Sequence, residues 1–152
     1  MSCDVAAAGM LFLASLAPAP KPASAPAYPQ LATGASAVAD EPLFRQIVRD
    51  ARTLAAEVKR LDKAAAPDLR PLREQVPLLA AEDLKAHLLL AKRGTDGDLK
   101  CILKGISQDL PLKLAALEAA ASPTERHVAL ADLGYLLRDN VEVILAPPAP
   151  PV

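Results

Sequence analysis

Lys92-Arg93-Gly94-Thr95-Asp96-Gly97-Asp98 is the stretch on which the reading of this chain turns. Gly94 and Gly97 interrupt any helix and make a turn, and Asp98 stands where an N-cap carboxylate would accept a free backbone N–H. Apolar residues recur at helical spacing on both sides. Before the turn the stripe is Leu69, Leu72, Val76 and Leu79; after it come Leu99, Ile102, Leu103, Ile106, Leu110, Leu114 and Leu117. The stretch therefore reads as a helical hairpin over residues 68–121.

Each arm of the hairpin has one interior proline, Pro77 and Pro111. Proline lacks an N–H and crowds the carbonyl four residues back, here those of Arg73 and Ser107, so a kink is expected in each arm. Beyond Pro77 the stripe is expected to shift register, to Ala80, Leu84, Leu88 and Ala91. Counting residues from the turn at about 1.5 Å each places the two prolines within about 6 Å of the same height. A shared bend there predicts a mid-bundle cleft at Pro77 and Pro111, lined by Arg73, Gln75, Ser107, Gln108 and Asp109, that takes a peptide or small ligand.

Outward from the hairpin lie two more helices. Phe44, Ile47, Ala51, Leu54, Val58, Leu61 and Ala65 step by three and four, the spacing of a bundle seam, so a first helix is expected over residues 41–65. Asp40 is its expected N-cap, with Pro42 in the first turn and Pro67 beyond the end. A last helix is announced by Ser122-Pro123-Thr124-Glu125, a capping box with proline at the first helical position. Its stripe is Leu130, Leu133, Leu137, Val141 and Ile144, with Asn140 at the edge; Val141-Glu142-Val143-Ile144-Leu145 has strand-like composition and blurs its end. Four amphipathic helices with short connections predict an all-α fold, an up-down four-helix bundle with a Pro-kinked central hairpin. A three-helix bundle with a fragmented second element is the alternative.

Composition agrees. Hydrophobic residues are 52% of the 152 and aromatics only 3%, the excess being alanine and leucine, the strongest helix formers. A net charge of −1 with acids and bases interspersed excludes the basic footprint of a nucleic-acid binder and the polybasic cluster of a protein held on anionic lipid.

The ends of the chain are of another kind. Val5 to Ala17 is an almost unbroken apolar run, too short to span a bilayer as a helix but of the length of a signal-peptide core, with Ser15 and Ala17 at the small positions of a cleavage site. Residues 1–17 therefore read as an export signal, although Asp4 occupies the place of the usual positive charge. Residues 18–39, with Pro18, Pro20, Pro22, Pro26 and Pro29 among Ala and Ser, read as an extended, disordered linker. The bundle occupies 40–146, and 147–152 is a Pro-rich tail. The expected location is periplasmic or secreted, with no stable membrane span after cleavage.

Residues that carry chemistry are few. With Cys3 in the signal, Cys101 is left alone on the face away from the Ile102–Ile106–Leu110 stripe, a candidate for an intermolecular disulfide. His87 and His127 lie at stripe edges with no HxxxH, ExxH or CxxC companion, so no metal site is expected. Haem is excluded by the lack of CxxCH and by both methionines lying in the signal. Asp96 and Asp98 do not continue into a calcium loop. No nucleophile–base pattern, phosphate loop or GxSxG elbow occurs, and Glu82-Asp83 and Asp139 with Glu142 read as solvated faces. The expectation is a non-enzymatic bundle with no cofactor, acting on an unidentified protein partner or as a homo-oligomer. The alternatives are a ligand- or metal-carrying bundle and a cytoplasmic adaptor.

Overall fold

The computed structural model describes residues 38–94 and 98–146. Among these, four helices and no strands occur: α1 (Pro42–Leu61), α2 (Arg70–Lys92), α3 (Leu99–Ala119) and α4 (Pro123–Leu145). The expected signal (1–17), almost all of the linker, residues 95–97 of the turn and the tail (147–152) lie outside the described residues.

Each helix packs against two neighbours, α1 on α2 and α4, and α3 on α2 and α4. Polar pairs at the seams fix the directions. Arg93, just past α2, holds Glu41, just before α1, with Nη1 to Oε1 at 2.7 Å. Arg73 early in α2 pairs with Glu118 late in α3. Lys113 of α3 reaches Asp132 of α4 at 2.8 Å, and His127 early in α4 meets Asp62 just past α1 at 2.6 Å. Successive helices are thus antiparallel, and the fold is an up-down four-helix bundle.

The core is a column of aliphatic side chains with Phe44 at one end of α1. α1 buries Phe44, Ile47, Ala51, Leu54, Val58 and Leu61, as its spacing predicts. It ends four residues sooner than expected, because Pro67 disfavours helical backbone at Ala66 and the chain leaves the helix at Asp62. Its N-cap is Glu41 rather than Asp40, with no side-chain cap bond. Asp68 lies before the start of α2, where its Oδ1 accepts the backbone N–H of Arg70 at 3.0 Å. The Arg70 guanidinium also holds the Asp68 carboxyl down at about 2. Asp98 does not cap α3 through its side chain: its backbone is already helical and its carbonyl accepts from Cys101 and Ile102.

Two further starts and stops follow their residues. Gly94 ends α2 with a φ of 67°, a left-handed conformation that costs glycine little. The capping box of α4 is formed in both directions, Glu125 N–H to Ser122 Oγ at 3.2 Å and Ser122 N–H to Glu125 Oε2 at 3.1 Å. The strand-like stretch 141–145 is helical to Leu145, because Ile144 is fully buried at the next core position.

α2 carries the largest departure from expectation. The helix continues unbroken through Pro77 and its stripe keeps one register, Leu72, Val76, Leu79, Asp83, Ala86 and Leu90, in steps of four and three. Of the expected shifted stripe Ala80 is buried, but Leu84 and Leu88 are 44% and 59% exposed and Ala91 is exposed too. α3 likewise continues through Pro111. Both prolines are exposed, on the side of each helix where water can satisfy the carbonyl that the missing N–H releases.

Candidate functional site

The expected cleft residues do not gather into one lining. Arg73 is exposed and tied to Glu118 across the α2–α3 seam. Gln75 faces the other way, into a shallow groove of about 250 Å³ shared with Gln46, Asp50 and Leu54 of α1. Ser107 turns back on its own helix, donating to the Lys104 carbonyl at 2.7 Å. Gln108 and Asp109 are exposed. None of the described grooves is lined by Pro77 or Pro111.

His87 and His127 lie at opposite ends of the bundle, as the antiparallel directions require. His87 Nδ1 is 2.6 Å from the Lys100 carbonyl at the start of α3, and His127 Nδ1 is 2.6 Å from Asp62. No group of three or more potential metal ligands occurs among the described residues. Cys101 is half-buried on the first turn of α3, and no cysteine among the described residues is a free thiol.

The structure brings together two residues that the sequence placed apart, Asp83 on a solvated face and Asn140 at the edge of the α4 stripe. Asp83 of α2 and Asn140 of α4 are both fully buried, the only polar residues so buried among those described. Asn140 Nδ2 donates to Asp83 Oδ2 at 2.8 Å across the bundle, linking two helices that otherwise do not pack on each other. Asp83 Oδ1 and Asn140 Oδ1 have no partner. Each such orphaned buried atom costs about 1–3 kcal/mol.

A carboxylate surrounded by aliphatic side chains is expensive to ionise, so the group keeps its proton instead. Burial pushes the Asp83 carboxyl up to about 8; the Asn140 hydrogen bond opposes this and the neighbouring charge of Glu82 adds to it. At neutral pH Asp83 is mostly a neutral carboxylic acid, able to donate as well as accept. The pair ties α2 to α4 at one height, a polar layer that penalises any other alignment of the helices.

Sequence reading missed this pair for a definite reason. Asp83 sits at a core position of the 72-76-79-83-86-90 series, and Asn140 at one of the 130-133-137-140-144 series. Preferring apolar residues at every step moved the stripe to Leu84 and Val141 instead. Unbroken steps of three and four were the available signal.

On the outside, two grooves follow one another along the α1–α4 seam. One, of about 620 Å³, is lined by Arg45, Val48, Arg49, Arg52 and Leu145 among others. The other, of about 520 Å³, has Ala55, Val58, Lys59, Gly134 and Arg138. Its depth depends on Gly134, where a Cβ would lie 3.3 Å from Val58 Cγ1. Among the described residues, Arg49 is the one arginine of the first groove with an ion pair, to its chain neighbour Asp50 at 3.3 Å.

No helix among the described residues is long and apolar enough to cross a membrane. Comparison with protein-family models, with curated proteins and with solved structures finds no match.

Proposed function

We propose that this chain is an exported, non-enzymatic helical bundle that acts through protein–protein contacts in the cell envelope. The observation that carries the reading is the outer face of the α2–α3 hairpin. Arg73 and Glu118 mark where the two helices meet. Along the same flank of α2 follow Pro77, Ala81, Leu84 and Leu88, and along the matching flank of α3 lie Pro111 and Ala115, all exposed. Clustered exposed leucines beside prolines make a coherent apolar surface of the kind that marks an interaction site. Export is supported by the apolar run 5–17 and the proline-rich spacer that follows it.

Two measurements test this. Intact mass of the native protein is expected to show a chain beginning near Pro18, and a full-length chain recovered from the cytosol would remove the export reading. A photo-crosslinker at Leu84 or Leu88 in the native host is expected to yield a discrete adduct. That adduct should vanish in Leu84→Glu/Leu88→Glu protein with unchanged circular dichroism; its persistence would remove the surface.

A further inference from the structure

The charges of α1 are sorted by side. Asp50 lies in the groove shared with α2, whereas Arg45, Arg49 and Arg52 line the first groove of the α1–α4 seam and Lys59 the second. Arg45, Arg52 and Lys59 are seven residues apart. Seven residues make almost two full turns, so these cations form one line along α1, spaced by about 10 Å. Arg138 of α4 stands on the opposite bank of the second groove.

Between the cations the floor is aliphatic or small, with Val48 and Leu145 in the first groove and Val58, Leu130 and Gly134 in the second. The carboxylates of the two linings stand at the ends, Asp40 before α1 and Asp62 after it, and Asp62 is already held by His127. Among the described residues Arg45, Arg52, Lys59 and Arg138 form no ion pair, not even with Glu142 one turn beyond Arg138. A single exposed cation is merely solvated. Several held in line over an apolar floor, with the carboxylates kept to the ends, raise the local potential and attract an anionic partner.

We infer that the α1–α4 groove receives an acidic amphipathic helix of a partner protein, lying along α1 with a carboxylate at every seventh position. A helix seated in a groove puts its apolar stripe on the floor and its flanking charges on the banks. Carboxylates seven residues apart recur at the spacing of Arg45, Arg52 and Lys59, the arrangement of the ion pairs that flank a coiled-coil seam. Arg138 takes a carboxylate of the other flank. The side chain missing at Gly134 lets the incoming helix sit low in the second groove. From Arg45 to Lys59 is about 21 Å, so a segment of about 14 residues suffices. A lipid fits less well, because one headgroup reaches only one of cations about 10 Å apart. The groove lies across the bundle from the α2–α3 face and requires neither that surface nor export.

Fluorescence anisotropy of the full chain with a labelled synthetic peptide tests the inference. The peptide is about three heptads long, with leucine at a and d and glutamate at e and g, whose repulsion keeps it monomeric. Saturable binding that weakens with salt is expected. A scrambled peptide of the same composition should bind roughly tenfold more weakly or worse, and so should the acidic peptide to Arg45→Glu/Arg52→Glu/Lys59→Glu protein. That variant should instead bind the peptide carrying lysine for glutamate, and Lys85→Glu, outside the groove, should change nothing. Circular dichroism confirms folding in each case. Absence of saturable binding, equal affinity for the scrambled peptide, indifference to the triple variant, no rescue by the lysine peptide or an effect of Lys85→Glu as large would each overturn the inference. So would co-sedimentation with phosphatidylglycerol vesicles that the triple variant abolishes, which would give the cations to lipid headgroups. None of these outcomes bears on the crosslinking at Leu84 and Leu88, so the two surfaces stand or fall separately.

Discussion

The level of α2 at Pro77 and the level at Asp83 are about 9 Å apart and carry opposite kinds of irregularity. At Pro77 the defect is in the backbone: a hydrogen bond is missing, but the residue faces water and the buried side chains on either side, Val76 and Leu79, keep their places. At Asp83 the backbone is regular and the defect is a polar side chain in the core. The first lies where solvent can satisfy it. The second is tolerated because Asn140 supplies a donor and the carboxyl stays protonated. A helix bundle thus absorbs a backbone fault at its surface without reorganising, whereas a core fault has to be matched by a second residue on another helix.

The largest effect that could break this comparison is one of pH. Asp83 has an ordinary value of 3.8 when unfolded and about 8 in the bundle. Between those values the folded state holds a proton that the unfolded chain releases, so stability is fully present below pH 4, declines as pH rises toward 8 and is level above it. The full span corresponds to about 4–6 kcal/mol. Urea melts from pH 4 to 9 are expected to show that decline, and Asp83→Asn should remove most of it.

Asn140→Leu comes next. It leaves the Asp83 carboxyl buried without a partner and is expected to cost about 1–3 kcal/mol in urea unfolding. Adding Asp83→Leu should recover the loss, and replacing both polar groups is expected by the same logic to leave the bundle at least as stable as the parent. A double variant no better than the single would mean the pair is not an isolated unit.

The prolines should respond in the opposite direction. Pro77→Ala and Pro111→Ala restore a backbone hydrogen bond at an exposed position and are expected to raise stability by about 1 kcal/mol or more each. Loss of stability on either change would show that the prolines shape the packing after all. Smallest is the cap of α4: Ser122→Ala removes one side of a formed capping box and should cost about 1 kcal/mol in the same melts.

Particular residues show how far the sequence could be read. The four helices were legible because each has an apolar series at helical spacing and a marked end: Gly94 for α2, the Ser122–Glu125 box for α4. What was not legible followed from treating single residues as decisive. Pro77 suggested a register shift because proline breaks isolated helices, yet tertiary packing of Leu72, Val76 and Leu79 outweighs one lost bond. Asp40 and Asp98 suggested caps, but whether a carboxylate reaches an N–H depends on backbone angles that residue type does not set. Asp83 and Asn140 were unreadable singly, since each is polar and only the other, 57 positions away, makes its burial tolerable.

The central claim is that Asp83 is a neutral acid held in the core by Asn140. Carbon-detected NMR of the side-chain carboxyl, with Asp83 assigned through the Asp83→Asn spectrum, reads its titration in the folded protein. The account predicts a midpoint near pH 8 that changes in Asn140→Leu protein. A midpoint near pH 4, the range of a solvated aspartate, would place Asp83 outside the core and contradict the account.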